Sequence, residues 1–154
     1  MRRAILSALP WLVLTARAIA CTCIDPGLTT HLREAPDVFV AKVLSVKRSA
    51  RIPVPNGEVV RVVVIESWKG GRPGQKLDIA SGSGGGDCGY EFEDKLLRGD
   101  STHLIFARPV PKKKGVLTTD LCSGSKPLKS AGADRDSLNK WKALGVIQLN
   151  SNQH

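Results

Sequence analysis

The feature that most constrains the fold of this chain is its set of four cysteines, which are Cys21, Cys23, Cys88 and Cys122. A ring closed between Cys21 and Cys23 would be strained, so each of these two is expected to pair with a distant cysteine. Two arrangements stay open: Cys21–Cys88 with Cys23–Cys122, or Cys21–Cys122 with Cys23–Cys88. An even number of cysteines in an exported domain predicts two disulfides. Zinc is disfavoured, because C-x-C followed by two distant single cysteines is not a zinc-ribbon spacing.

Residues 1–20 have the pattern of a secretion signal that is removed from the mature protein. Two arginines precede a short apolar run, and a small-x-small cleavage site ends at Ala20. The run is too short to span a bilayer comfortably, so stable membrane insertion after cleavage is not expected. We predict a secreted, extracellular or periplasmic protein whose mature chain begins at Cys21. The alternative, a lipoprotein signal with lipid on the Cys21 sulfur, would leave an odd number of cysteines.

The net charge of +9 falls to +6 once the three arginines of residues 1–20 are removed, since that segment contains no acidic residue. One basic cluster, Lys112-Lys113-Lys114, has the pattern of a turn between strands. A basic surface favours acidic partners such as anionic lipid or polysaccharide, although a solvated surface is the simpler interpretation. Nucleic acid is not an expected partner, because the sequence has no stacking platform of aromatic and basic residues.

The mature chain predicts a mainly β domain at 21–145, followed by a tail at 146–154. β-branched residues on both parities of 59–68 predict a strand that is covered on both sides, and a glycine-serine stretch at 81–86 predicts a flexible connection. A short helix at 29–35 should stop at Pro36. The C-terminal helix at 135–144 should have Asp134 as its N-cap and Gly145 as its stop, with Leu138, Trp141 and Leu144 buried. The predicted strands are 38–46, 59–68, 76–80, 102–107 and 116–121.

These elements favour a small OB-fold-like Greek-key barrel of five to six strands with a C-terminal helix and two disulfides. An immunoglobulin-like sandwich is the alternative, but it fits the cysteine spacing and the helix poorly. No enzyme motif is present, and His31, His103 and His154 are isolated, so each is interpreted as a surface or packed histidine. We therefore expect neither catalysis nor a resident cofactor, and we expect a monomer.

The amino terminus carries the most promising chemistry. After cleavage, the α-amine and the carbonyl oxygen of Cys21 could chelate one metal ion in a five-membered ring. An α-amine has an ordinary pKa of about 7.7–8.0, so it gives up its proton to a metal near neutral pH. The same chelate could occupy the open position of a protease zinc, with Thr22 entering the adjacent specificity pocket.

Several short motifs of the mature chain form a recognisable set. In chain order they are Cys21-Thr22-Cys23, Val38-Phe39-Val40-Ala41-Lys42-Val43, Trp68-Lys69-Gly70, Cys88-Gly89, Leu121-Cys122 and Cys122-Ser123-Gly124. With these motifs the chain resembles the inhibitory domain of the tissue inhibitors of metalloproteinases, in the netrin-like group of OB-fold modules, and its short bacterial relatives in particular. The resemblance covers most of residues 21–141, although only the cysteine frame and the first strand are specific. The family's third bridge within this domain is missing, as is a second cysteine-rich domain.

The resemblance implies the pairing Cys21–Cys88 with Cys23–Cys122 and a function as a secreted inhibitor of zinc metalloproteases. The backbone of Cys21 would bind the zinc of the target protease, which is the only metal implied. The alternative is a secreted, non-catalytic OB-fold binding module for an extracellular protein or glycan. The target-binding residues that the resemblance implies are Cys21, Thr22, Cys23, Ile24, Gly86 and Asp87.

Overall fold

The computed structural model describes residues 21–48, 57–82, 88–92 and 101–147. The predicted secretion signal and most of the predicted glycine-serine connection lie outside the described residues. All five predicted strands and both predicted helices are confirmed, with bounds that differ by several residues in places. In chain order the elements are α1 (Leu28–Glu34), β1 (Asp37–Arg48), β2 (Glu58–Lys69), β3 (Lys76–Ser81), β4 (Thr102–Pro109), β5 (Val116–Thr118), β6 (Lys126–Pro127), a 3₁₀ helix (Leu128–Ser130) and α2 (Gly132–Ala143).

Five strands close into a barrel. The pairing runs from β1 to β2, β3, β5 and β4, and β4 then pairs with β1 to complete the ring. The β3–β5 pair is parallel, whereas the other pairs are antiparallel. The short β6 pairs with β4 and adds a sixth strand to the sheet. This closed arrangement confirms the predicted OB-fold-like Greek-key barrel.

Strand β1 supplies both cores of the protein. Phe39 and Ala41 point into the barrel, where they join the inward residues of the other strands. Val38 and Val40 alternate with them and face outward, because successive side chains of a strand point to opposite faces. These outward residues pack in a second core with Trp68. The start of β1 is therefore covered on both sides.

Helix α2 packs over the second core. Leu138 is fully buried there, and the indole Nε1 of Trp68 donates a hydrogen bond to Asn139 Oδ1 at 2.9 Å. Lys142 Nζ also donates to the carbonyl oxygen of Ser67 at 2.9 Å. Apolar contact and hydrogen bonds to β2 thus fix the helix on the barrel. Neither helix in the described part of the chain has the length and apolar character that a membrane span requires.

Three details of α2 differ from the sequence-based prediction. The helix begins at Gly132, and its N-cap is Ala131 instead of Asp134. Asp134 lies in the first turn, where a carboxylate interacts favourably with the helix dipole and accepts a hydrogen bond from Lys126 Nζ at 2.6 Å. Leu144 was predicted to be buried but is 66% exposed, because the helix ends one residue earlier, at Ala143.

The outer face of β2 is open along residues 59–65, so the prediction that the strand at 59–68 is covered on both sides is wrong for most of its length. Arg61 and Ile65 are exposed there and Val63 is half-buried, while the alternate valines fill the barrel. β-branched residues are common in all strands. Their presence at both odd and even positions of β2 therefore did not show that both faces of the strand are buried. A second correction concerns Ser81, which ends β3 and is buried instead of opening the flexible connection.

Candidate functional site: the disulfide-anchored amino-terminal edge

Two disulfides hold residues 21–23 against the end of the barrel where β3 and β5 finish. Cys21 is bonded to Cys88 and Cys23 to Cys122, with Cα–Cα distances of 5.5 and 5.2 Å. The pairing implied by the family resemblance is therefore confirmed. Spacing alone had left the opposite pairing open.

Exposure alternates along this amino-terminal edge, by which we mean residues 21–24. Cys21 and Cys23 are half-buried, whereas Thr22 is exposed and Ile24 is 91% exposed. Successive side chains of an extended chain point in opposite directions. Anchoring both sulfurs to the barrel therefore directs the side chains of Thr22 and Ile24 into solvent.

The two disulfides are neighbours because the segments that carry Cys88 and Cys122 pair with each other. Gly89 forms an antiparallel bridge with Asp120, and the backbone N–H of Leu121 donates to the Cys88 carbonyl oxygen at 2.9 Å. Glycine is needed at position 89, since a Cβ there would overlap the backbone of Gly82. This close crossing fixes the spacing of the bridges to which the edge is attached.

Buried hydroxyl groups fix the loop that carries Cys122. Thr119 Oγ1 donates to the Phe106 carbonyl oxygen of β4 at 2.9 Å, and the hydroxyl oxygens of Ser123 and Ser125 each lie 2.8 Å from Thr119 Oγ1. Ser125 Oγ also accepts a hydrogen bond from the Phe106 backbone N–H at 2.9 Å. A buried network whose polar groups are satisfied adds rigidity, so the anchor for Cys23 is itself firmly placed.

His31 connects the amino-terminal edge to this loop. Its Nε2 lies 3.0 Å from Asp25 Oδ1, and the same carboxylate oxygen accepts a hydrogen bond from the Gly27 backbone N–H at 2.8 Å. The hydrogen bond from Gly27, followed by the one from His31, lowers the pKa of Asp25 below its ordinary value. The imidazole ring is buried against Gly124, where an added Cβ would stand 2.7 Å from ring atoms. The His31 side chain thus braces both Asp25, which follows the amino-terminal edge, and the loop that carries Cys122.

Replacing Gly124 by alanine is expected to destabilise the protein more than the same change at Gly74. Both glycines have a positive φ, at 86° and 82°, but a Cβ at Gly74 meets nothing within 4 Å. Gly74→Ala should therefore cost about 1–2 kcal/mol for its backbone conformation alone. Gly124→Ala should cost about 1–3 kcal/mol more, because the His31 ring must move. Urea unfolding of the two variants measures the difference, and equal costs would contradict the proposed packing of His31.

A groove of about 390 Å³ lies beside the two disulfides. It offers hydroxyl, backbone and disulfide groups, and Asp120 supplies its ionisable side chain. No group of three or more metal-binding side chains occurs among the residues that the structure describes. The groove is lined by Gly82, Cys88, Gly89, Thr118, Thr119, Asp120 and Cys122.

The structure brings together four of the six predicted target-binding residues, namely those at positions 21–24. Gly86 and Asp87 lie outside the described residues. The sequence-based reasoning missed the bracing role of Asp25, His31 and Gly124. The Asp-Pro-Gly run at 25–27 is a turn pattern that could have marked Asp25 as a residue that bonds its own backbone. The contact between His31 and Gly124 had no local signal, since it joins parts of the chain that are far apart in sequence.

No protein-family model matches the chain, and no match is found among curated proteins. The fold and the site therefore carry the functional argument. They define an OB-fold-like barrel with two adjacent disulfides and an anchored, partly exposed amino-terminal edge.

Proposed function

We propose that this protein is a secreted inhibitor of zinc metalloproteases that binds the target's catalytic zinc through the α-amine and carbonyl oxygen of Cys21. One observation carries the proposal: residues 21–23 are held by two adjacent disulfides while Thr22 faces solvent. Cleavage after Ala20 would place an α-amine at the head of this rigid edge. The amine and the carbonyl oxygen of the same residue would then fill the open coordination position of the zinc and displace its catalytic water.

Rigidity makes such an edge a better ligand than a flexible peptide. A flexible amino terminus loses conformational freedom when it coordinates a metal, and that loss weakens binding. Here the disulfides, together with the hydrogen bonds from Gly27 and His31 to Asp25, restrict the segment before any target is met. The inhibitor would therefore bind with little further ordering.

Two exposed apolar side chains lie next to the bridged cysteines. Ile24 follows Cys23 and is 91% exposed, and Leu121 precedes Cys122 and is 48% exposed. Large exposed apolar side chains beside a candidate binding edge are suited to burial against a partner. In the proposed complex they would pack on the protease surface near the zinc cleft.

The identity of the mature amino terminus tests the proposal directly. Mass spectrometry of the exported protein should find a chain that begins at an unmodified Cys21, and that material should inhibit at least one member of a panel of zinc proteases. A chain that begins elsewhere, or that carries lipid on the Cys21 sulfur, would overturn chelation by Cys21. A correctly processed protein that inhibits no member of a broad panel would count equally against it.

Thr22→Gly is expected to weaken inhibition by roughly 10- to 100-fold, because it removes the side chain that would fill the specificity pocket beside the zinc. Thr22→Val is the matched control, since it keeps the size and branching of the side chain and replaces only the hydroxyl group. Its inhibition constants should stay closer to those of the parent in proteases with apolar pockets. Unchanged constants for Thr22→Gly across the panel would refute the role of Thr22.

A further inference from the structure

Beyond the part that α2 covers, the barrel has a partly exposed outer face formed by residues 42–47 of β1, 59–65 of β2 and 76–78 of β3. The pairing registers place outward residues of the three strands in rows. One row contains Lys42, Val63 and Lys76, and the next contains Ser45, Arg61 and Asp78. Neighbouring strands are about 4.8 Å apart, so the Cα atoms of Lys42 and Lys76 are separated by roughly 10 Å. Lysines therefore stand at both edges of this face, with an aliphatic side chain between them.

The turn at residues 110–115, which contains Lys112, Lys113 and Lys114, places further positive charge next to β3. Strand β5 runs parallel to β3, with Val116 opposite Asp78. Lys76 comes two residues before Asp78, and Lys114 comes two residues before Val116. Because the two strands are parallel and Asp78 pairs with Val116, the turn lies beside the first residue of β3, Lys76. The turn is closed by a hydrogen bond from the Val110 backbone N–H to the Val116 carbonyl oxygen at 2.9 Å, and its three lysines are exposed. We call Lys42, Lys76 and the lysines of this turn the basic band.

The negative charge of Asp78, on this face, does not neutralise the positive charge of the basic band. Asp78 is the acidic residue of the two rows named above, and Arg61 donates two hydrogen bonds of 2.8 Å to it. Glu66 stands farther along β2, opposite Val40, where it accepts a hydrogen bond from Arg135 Nε of α2 at 2.8 Å. The hydrogen bond from Arg61, with added attraction from Lys47, lowers the pKa of Asp78. The carboxylate stays ionised and is neutralised by Arg61. The lysines around it therefore set a positive potential over the face.

We propose that the basic band binds a linear polysaccharide that carries carboxylate or sulfate groups. The uncovered face of strands β2 and β3 is the surface that OB folds commonly use for extended polymeric ligands, and here its charge is complementary to a polyanion. Spaced lysines on flexible stems suit charged groups repeated along a chain, because each ammonium group binds as a mobile point charge. This inference concerns a different surface from the amino-terminal edge and does not depend on inhibition.

The composition of the face favours a glycan over two other polyanions. Single-stranded nucleic acid is held largely by stacking on aromatic rings. Among the described residues of β1–β3 no aromatic side chain is exposed on the outer face, since Trp68 is buried under α2. Binding at a membrane surface needs a continuous apolar face beside the basic residues. In the described part of these strands the exposed large apolar residues are Leu44 and Ile65. Three residue pairs of the β1–β2 register, including the pair formed by the outward residue Lys42, lie between them, so they do not form a continuous apolar face.

The test compares two triple variants that lose the same charge. Lys42→Gln/Lys76→Gln/Lys114→Gln neutralises three of the five lysines of the basic band. Arg33→Gln/Lys129→Gln/Lys140→Gln removes three exposed positive charges elsewhere. Calorimetry with a heparin oligosaccharide and with oligogalacturonate measures affinity for sulfated and carboxylated chains. We expect the first variant to bind the preferred chain about tenfold more weakly, equivalent to about 1.4 kcal/mol, with a smaller salt dependence. The second variant should stay within about twofold of the parent.

Three outcomes would overturn the proposal. Equal weakening in both variants would show attraction by net charge alone. Tighter binding to a single-stranded oligonucleotide, or to vesicles of anionic phospholipid, than to either glycan would assign the face to another class of partner. Absence of measurable binding of the parent to both glycans at low salt would leave no ligand of the proposed chemistry. Equal thermal unfolding midpoints for the parent and the two variants establish that all three are folded.

Discussion

One alanine added before Cys21 is expected to abolish inhibition of zinc metalloproteases while leaving the barrel intact. The addition turns the α-amine of Cys21 into an amide nitrogen, which is a far poorer metal ligand and carries an extra residue into the zinc cleft. Loss of the chelate should weaken inhibition by at least about a thousandfold, or roughly 4 kcal/mol of binding free energy. The fold should not change, because the disulfides form through side chains and the added residue lies beyond them.

Inhibition constants for the extended protein are measured beside those of a control with one alanine added after His154. Mass spectrometry of each protein must verify the intended amino terminus, because trimming of the added alanine would restore the parent. Thermal unfolding of the two proteins should agree within a few degrees. Inhibition by the extended protein within about twofold of the control would show that the α-amine of Cys21 does not bind zinc. The barrel would then have to act through another surface.

The double variant Cys23→Ser/Cys122→Ser is expected to lose both stability and inhibition. With Cys21–Cys88 intact, the remaining path between positions 23 and 122 runs through that bridge and is about a third of their direct separation of 99 residues. The chain-entropy model assigns a bridge across a loop of this size roughly 3–4 kcal/mol. Inhibition should weaken as well, because only one of the two anchors would still hold the edge.

Guanidinium unfolding gives the change in stability, and inhibition constants measured under conditions where the variant is folded give the change in function. Separate measurement matters because an unfolded variant would also fail to inhibit. Gly124→Ala serves as a comparison that disturbs the same loop while retaining both disulfides. If the folded double variant inhibits as strongly as the parent, the amino-terminal edge does not need its second anchor and the argument from rigidity is wrong.

The strands and the overall fold class were predictable because their signals are local. Alternating apolar residues and turns rich in glycine and proline mark strands without knowledge of their partners. Whether the outer face of each strand is buried could not be predicted in this way. Residues 38–40 and 62–64 are both continuous apolar runs. The first lies between the barrel core and the helices, whereas Val63 of the second is half-buried on an open outer face. The difference arises from where α2 packs, which is a tertiary contact.

The same difference between local and long-range signals applies to the candidate site. Residues 21–24 were identifiable because a cleavage pattern stands directly before two closely spaced cysteines. The choice of partner for each cysteine could not be made from spacing, since it depends on the bridge between Gly89 and Asp120. The bracing of Asp25 by His31 also escaped prediction, because an isolated histidine has no sequence pattern that names its neighbours. The local sequence pattern thus located the amino-terminal edge, whereas contacts between distant parts of the chain determine how the edge is held in place.

The linkage between Cys23 and Cys122 also constrains the order of assembly. Cys21 can be bonded as soon as Cys88 has been synthesised, whereas the partner of Cys23 stands 99 residues later in the chain. A chain that ends before position 122 can therefore hold this segment by one disulfide at most. The second anchor comes only when nearly the whole domain has left the ribosome.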